Sequence, residues 1–310
     1  MWLNKKVQLG SWILVLAGLA APLAAQDPAP TVFRSDSRLV VLHATVLDAG
    51  GHLITNLPQT AFHVLENGVE QDIKLFRRED APVSIGLIID DSGSMINKRD
   101  RVAAAALALV EASHPDDEAF VIHFNEKAYL DLDFTHDRAQ LRDGLNHFDT
   151  RGTTAMREAV RLAIEHLERK AAEDKKVLIV ITDGEDNTST ISRDQTIRMA
   201  QQSGVLIYAV GILNEIDDEQ TRRAQRELDT LTAATGGQSY YLKDVSEAGQ
   251  TALDIAHKIR NQYTLAYTPS NQTLDGMFRR ILVKASGPSP MTVLTRSGYW
   301  ASASHRLEDR

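Results

Sequence analysis

The run Val177-Leu178-Ile179-Val180-Ile181 has no polar face to offer water. A strand of this kind must be covered on both sides. A parallel sheet with helices packed on each face does that, whereas an antiparallel sheet with one wet face does not. Similar near-continuous apolar stretches stand at 83–90, 119–124 and 205–212, with shorter ones at 128–131 and 239–242. Between them, apolar residues recur at helical spacing over 98–113, 138–147, 155–170, 193–203, 219–235 and 245–262. Alternation of these two periods predicts an α/β domain over 83–262, a doubly wound and mostly parallel six-stranded sheet.

Both flanks of this region change to a short, β-like pattern. On the N-terminal side, 38–80 form a β arm whose segments at 62–66 and 69–76 flank Asn67-Gly68, a strong hairpin signal. On the C-terminal side, 263–300 form a second β arm, and 301–310 read as a polar tail. The first α/β strand begins, and the last helix ends, at the same edge of the sheet. The arms therefore leave from one end, and neither has strands enough to stand alone. The expectation is one small β domain built from both arms, with the α/β domain inserted between them.

Ahead of these lies an address. Lys5 and Lys6 precede an apolar run from Trp12 to Ala21, which ends in Pro22-Leu23-Ala24-Ala25. This reads as an export signal over 1–25, followed by a lead-in over 26–37. The run is short for a membrane span, and no other transmembrane segment is expected once it is removed. Export places the protein in the periplasm, the cell envelope or the extracellular space. The chain of 310 residues contains no cysteine, so disulfides, thiolate zinc sites and thiol catalysis are excluded. A formal net charge of −8 argues against nucleic acid as a partner.

Chemistry in an open α/β sheet sits beyond the carboxyl ends of its strands, where strand order reverses. Two such ends are unusually polar: Asp90-Asp91-Ser92-Gly93-Ser94 and Thr182-Asp183-Gly184-Glu185-Asp186. If the extended chain continues past Asp90, its period of two directs Asp90, Ser92 and Ser94 to one side. A carboxylate and two hydroxyls are oxygen ligands suited to a hard divalent cation. Thr154 offers a further hydroxyl and Asp183 a further carboxylate, directly or through water. Asp90, Asp91, Asp183, Glu185 and Asp186 would crowd one rim, and a bound cation would compensate them. Either segment alone also fits helix caps and solvated loop carboxylates; together, on these strands, they favour a metal.

These motifs, Asp90-x-Ser92-x-Ser94, Gly152-x-Thr154 and Thr182-Asp183-Gly184, resemble the metal-ion-dependent adhesion site of von Willebrand factor A domains. The likeness covers about 83–262 and includes Thr235-Gly236-Gly237. The 62–76 hairpin and the ending Arg296-Ser297-Gly298-Tyr299 are similar to a bacterial secreted subgroup, the acidobacterial-type proteins related to that family. The resemblance implies that Asp90, Ser92, Ser94 and Thr154 contact Mg²⁺, with Mn²⁺ or Ca²⁺ as substitutes, and that Asp183 does so mainly through water. It also implies a protein partner whose Asp or Glu completes the shell, and a last helix that shifts between affinity states. One departure is Met156-Arg157-Glu158, where relatives often carry Leu-Tyr-Asp, so that Arg157 is expected to alter the rim a partner meets.

No enzyme is expected. A phosphohydrolase of the haloacid-dehalogenase kind needs a second Asp two residues after the nucleophile, and that position is Ser92. There is no Gly-x-Ser-x-Gly elbow and no His-Glu-x-x-His spacing. The segment 183–187 lacks the glycine and distal glutamate of a calcium loop. His123, inside a strand, reads as structural. The remaining alternative is a scaffold whose metal only holds the rim together. Oligomeric state leaves no sequence signal.

Overall fold

The computed structural model describes residues 39–302, apart from 79, 148, 213–218 and 288. The expected signal, the lead-in and all but the start of the tail lie outside the described residues. The N-terminal arm supplies β1 (Val40–Leu47), β2 (Phe62–Glu66), β3 (Val69–Gln71) and β4 (Ile73–Arg77). The α/β region follows as β5 (Val83–Asp90), α1 (Arg99–Ala112), β6 (Glu118–Phe124), β7 (Ala128–Thr135), α2 (Arg138–Leu145), α3 (Met156–Lys170), β8 (Lys175–Thr182), α4 (Arg193–Ser203), β9 (Leu206–Gly211), α5 (Glu219–Thr235), β10 (Ser239–Tyr241) and α6 (Ala248–Arg260). The C-terminal arm adds β11 (Tyr263–Tyr267), β12 (Phe278–Ala285), β13 (Thr292–Leu294) and β14 (Gly298–Trp300).

The six-stranded sheet runs β10-β9-β8-β5-β6-β7, parallel except for the antiparallel edge strand β7. Every residue of β5 and β6 is buried, as their unbroken apolar character requires. β7 extends to Thr135, beyond the expected 131, because its Asp131 and Asp133 alternate with Leu132 and Phe134 on a half-exposed edge. Side chains alternate between two cores. Ile85, Leu87 and Ile89 face α1, α2 and α6 through Val102, Leu109, Leu141 and Ile255. Ile88, Leu178 and Val180 face α3, α4 and α5 through Val160, Ile164, Ala200 and Leu228. Among the described residues no helix is long and apolar enough to cross a membrane.

The arms interleave as expected, in two antiparallel four-stranded sheets. One runs β13-β1-β11-β4 and the other β14-β12-β2-β3, so each draws strands from both arms. Alternate residues of β1, β2, β11 and β12 (Leu42, Val64, Leu265 and Val283 among them) bury into a shared third core. The rings of Phe62 and Tyr263 pack there at 4.8 Å. Entry to and exit from the α/β region meet: Arg260, ending α6, donates to the carbonyl of Ala81, just before β5, at 2.9 Å.

Candidate functional site

The chain passes from β5 to β6 on one side and then returns across the sheet to β8 on the other, so strand order reverses between β5 and β8. Their carboxyl ends are in register, Ile89 beside Ile181. Asp90 therefore stands next to Thr182, whose Oγ1 donates to Asp90 Oδ2 at 2.5 Å. The amide of Ser92 donates to Oδ1 at 2.8 Å.

Past Asp90 the chain does not stay extended. Ser92 (φ −65°, ψ 163°) leads into a 3₁₀ turn over Gly93–Asn97. That turn, rather than a strand period, brings Ser92 Oγ and Ser94 Oγ to 3.1 Å. Ser94 Oγ then donates to Asp183 Oδ1 at 2.8 Å. Asp90, Ser92, Ser94 and Asp183 are thus joined by one network of short polar contacts across two strand ends.

Thr154 arrives by a separate route. The Gly93 amide donates to the Gly152 carbonyl at 3.1 Å, and the Arg151 amide to the Asp91 carbonyl at 2.9 Å. Gly152 has φ +69°, a left-handed conformation that favours glycine. On the other side, Thr154 N–H donates to Asn187 Oδ1 at 3.0 Å while Asn187 N–H donates to the Thr154 carbonyl at 3.0 Å. Thr154 is buried between the two loops. Among the described residues, no hydrogen bond links its hydroxyl to the other four.

The rim carboxylates are more neutralised than the bare sequence implies. Asp91 turns inward to His123, Nδ1 to Oδ2 at 2.9 Å. Asp186 accepts from the Arg157 amide at 2.7 Å and from Ser189 Oγ at 2.6 Å. Asp183 Oδ2 accepts from Lys98 Nζ at 2.7 Å. Arg157, expected to alter the rim, is tied to α5 by its Nε donating to Glu227 Oε1 at 2.6 Å, and its Nη1 lies 3.7 Å from the rim carboxylate of Asp186. Asp90 alone of the buried four has no cation at ion-pair distance among the described residues. Burial pushes its pKa up to about 7, against the pull of the hydrogen bonds from Thr182 and Ser92, and the charge of Asp183 adds to the rise.

Among the described residues no group of three or more His, Cys, Asp or Glu side chains is arranged to hold a metal. The donor set here is of another kind, two carboxylates and three hydroxyls. Oxygen-only donors of this type suit Mg²⁺ or Mn²⁺. One observation fits them to a cation: the carboxylate of Asp90, fully buried with no cation at ion-pair distance among the described residues.

Three contributors escaped the sequence reading: Lys98, Asn187 and the His123–Asp91 pair. Only Lys98 carries a signal. A cation at the start of a helix opposes the helix dipole and calls for a nearby anion.

A doubly wound, mostly parallel sheet with oxygen donors gathered at its switch point defines an open-sheet α/β domain. Residues 84–254 match the von Willebrand factor type A domain, and the chain belongs to that family. The calcium-activated chloride channel regulator 1 of Mus musculus is 28% identical over 51% of this chain and 17% of its own length. An uncharacterized protein of Synechocystis is 24% identical over 69% of this chain and 49% of its own. The chain thus spans half or less of the length of these relatives. Among solved structures, a von Willebrand factor type A protein from Catenulispora acidiphila shares the fold over 89% of this chain and 76% of its own, with TM-score 0.51 and 14% identity. Proximal thread matrix protein 1 of the mussel byssus, described with a zinc-occupied MIDAS motif, has TM-score 0.50 and 18% identity, over 63% of this chain and 50% of its own.

Proposed function

We propose that this domain is a metal-dependent adhesion module rather than an enzyme. Asp90, Ser92, Ser94 and Thr154 would hold Mg²⁺ directly, with Mn²⁺ or Ca²⁺ able to replace it, and Asp183 would do so through water. A cation bound there supplies an electron-poor position that accepts a carboxylate oxygen from an Asp or Glu of a protein partner. The observation that carries this reading is the network from Asp90 through Ser92 and Ser94 to Asp183. Ser94 and Asp183 orient each other, and the Thr182 hydroxyl fixes the Asp90 rotamer. We read the chain further as an exported envelope or extracellular protein of the bacterial subgroup, its β-sandwich arms presenting the adhesion domain.

The test is capture of partners from the native cell envelope on immobilised protein. Wild type and Asp90→Ala are compared, each in Mg²⁺ and in chelator. Capture that needs both Mg²⁺ and Asp90 supports the reading. Capture that survives chelator and Asp90→Ala overturns it. A metal that raises the melting temperature yet changes no capture favours the scaffold alternative.

A further inference from the structure

Lys98 closes the Gly93–Asn97 turn and opens α1. Its side chain does not go to solvent. It is 9% exposed and places Nζ 2.7 Å from Asp183 Oδ2, on a carboxylate that is 1% exposed. The other oxygen of Asp183 accepts from Ser94. Both oxygens are therefore gripped from the one segment that also carries Asp90 and Ser92, one by a hydroxyl and one by a cation. Burying an ammonium, and doing so where a helix starts, is unfavourable by both desolvation and the helix dipole. The Asp183 carboxylate offsets both costs.

We propose that Lys98 is a resident counter-cation of the metal centre, neutralising Asp183 and thereby setting how tightly a divalent ion and a partner's carboxylate are held. The inference rests on the metal reading above. With Lys98 in place, the donor set presents one uncompensated carboxylate, that of Asp90, where the sequence motif alone presents two. A dication beside a single negative charge is under-neutralised. The domain then binds the ion alone weakly and binds ion plus external carboxylate together, which is the behaviour of an adhesion site rather than of a permanent structural metal. Lys98 also keeps Asp183 and Ser94 in place when no ion is bound, so the donors are already arranged for it.

The experiment uses Mn²⁺ alone as the probe. Free Mn²⁺ is followed by electron paramagnetic resonance during titration of the full chain: wild type, Lys98→Gln, Lys98→Met, Lys98→Arg and Asp90→Ala. Removing one unit charge a few ångströms from the donors should tighten Mn²⁺ binding about 10- to 100-fold in Lys98→Gln and Lys98→Met. Lys98→Arg should stay near wild type. The metal-free unfolding midpoints of the two neutral variants should fall, and Mn²⁺ should restore more of the loss than it adds to wild type. If Lys98→Met does not fold, Lys98→Gln against Lys98→Arg decides, since both can donate a hydrogen bond and only one carries charge. Neutral variants that bind Mn²⁺ no better than wild type, while Asp90→Ala loses it, overturn the role of Lys98 and leave the metal reading standing. No Mn²⁺ binding in any folded variant, or equal binding by Asp90→Ala, overturns the metal reading and this inference with it.

Discussion

Asp91 and His123 lie 2.9 Å apart, Oδ2 to Nδ1, with neither side chain exposed to solvent. The other ring nitrogen of His123 is 2.9 Å from the Gly144 carbonyl, which only accepts. Burial alone would lower the imidazole pKa, but the hydrogen bond and charge of Asp91, with the Gly144 carbonyl, outweigh it and leave the pKa raised. Asp91 Oδ2 also receives the Asp149 amide at 3.3 Å, so the pair ties the strand end to the loop that leads to Thr154. His123→Phe would leave a carboxylate buried without its cation, and breaking a buried pair from one side costs about 3–5 kcal/mol. Urea unfolding of the metal-free protein measures it. An unchanged midpoint would show that Asp91 does not depend on His123 for its charge.

A second prediction concerns the seam between the two domains. Gly237 stands so close to β9 that a Cβ would meet the Ile207 carbonyl oxygen at 1.9 Å. Its neighbour Gly236, at φ +90°, meets the backbone of Thr295 and Arg296 in the C-terminal arm. Because the obstacles are backbone, no side chain can swing away. Gly237→Ala should lose about 1–3 kcal/mol or more, the cost of overpacking. Gly249→Ala, on α6 with nothing within 4 Å of its Cβ, is the control and should gain up to about 1 kcal/mol from helix propensity. Equal effects at the two positions would refute the close approach.

The strands that build the sheet were legible because their burial is two-sided. The polar ends of β5 and β8 could be read as rim segments, but the adjacency of β5 and β8 that sets Asp90 beside Thr182 could not, because β6 and β7 lie between them in the chain. The Thr235-Gly236-Gly237 signal was legible as a helix end, yet its contact with Thr295 was not, because the partner lies in another arm. The same limit applies to the arms. That they meet was deducible from where they leave the sheet. That they form two sheets was not, since pairings such as Val40 with Tyr267 join segments at opposite ends of the chain. At the site, residue types revealed the donors but not their geometry. The serines converge through a 3₁₀ turn, and Lys98 and His123 neutralise carboxylates that looked unpaired, all effects of packing between loops distant in sequence.

A third prediction concerns pH. His43 on β1 has its pKa lowered to about 3, first by burial and then by the charges of Lys175 and Arg296. The folded protein thus refuses a proton that the unfolded chain accepts near 6.5. Stability from this residue is complete above that value and is lost as pH falls from 6.5 towards 3. Between pH 7 and pH 5 the loss is at most about 2 kcal/mol, and His43→Gln should remove that share of the acid sensitivity. Lys175→Met, by deleting one of the two charges, should raise the His43 pKa as read by the pH titration of its ring resonances. An unmoved titration would show that Lys175 contributes nothing and leave the shift to burial and Arg296.

The last prediction concerns Asp90 itself. Asparagine keeps the Ser92 amide contact through its oxygen and reverses the Thr182 contact, its NH₂ donating to the hydroxyl that also receives the Gly184 amide at 3.3 Å. What Asp90→Asn removes is a buried charge with no cation beside it among the described residues. In the metal-free protein above neutral pH, that charge is a burden on the order of 1 kcal/mol or more. The melting temperature of metal-free Asp90→Asn should therefore rise by about 2–4 °C. Added Mg²⁺ should raise the melting temperature of wild type and leave that of Asp90→Asn unchanged, so the order of the two proteins converges or reverses with metal. Scanning calorimetry in chelator and in Mg²⁺ reads both signs. A variant that is less stable than wild type without metal would mean that the carboxylate is satisfied by its hydrogen bonds alone, and that the site has no need of a cation to hold it.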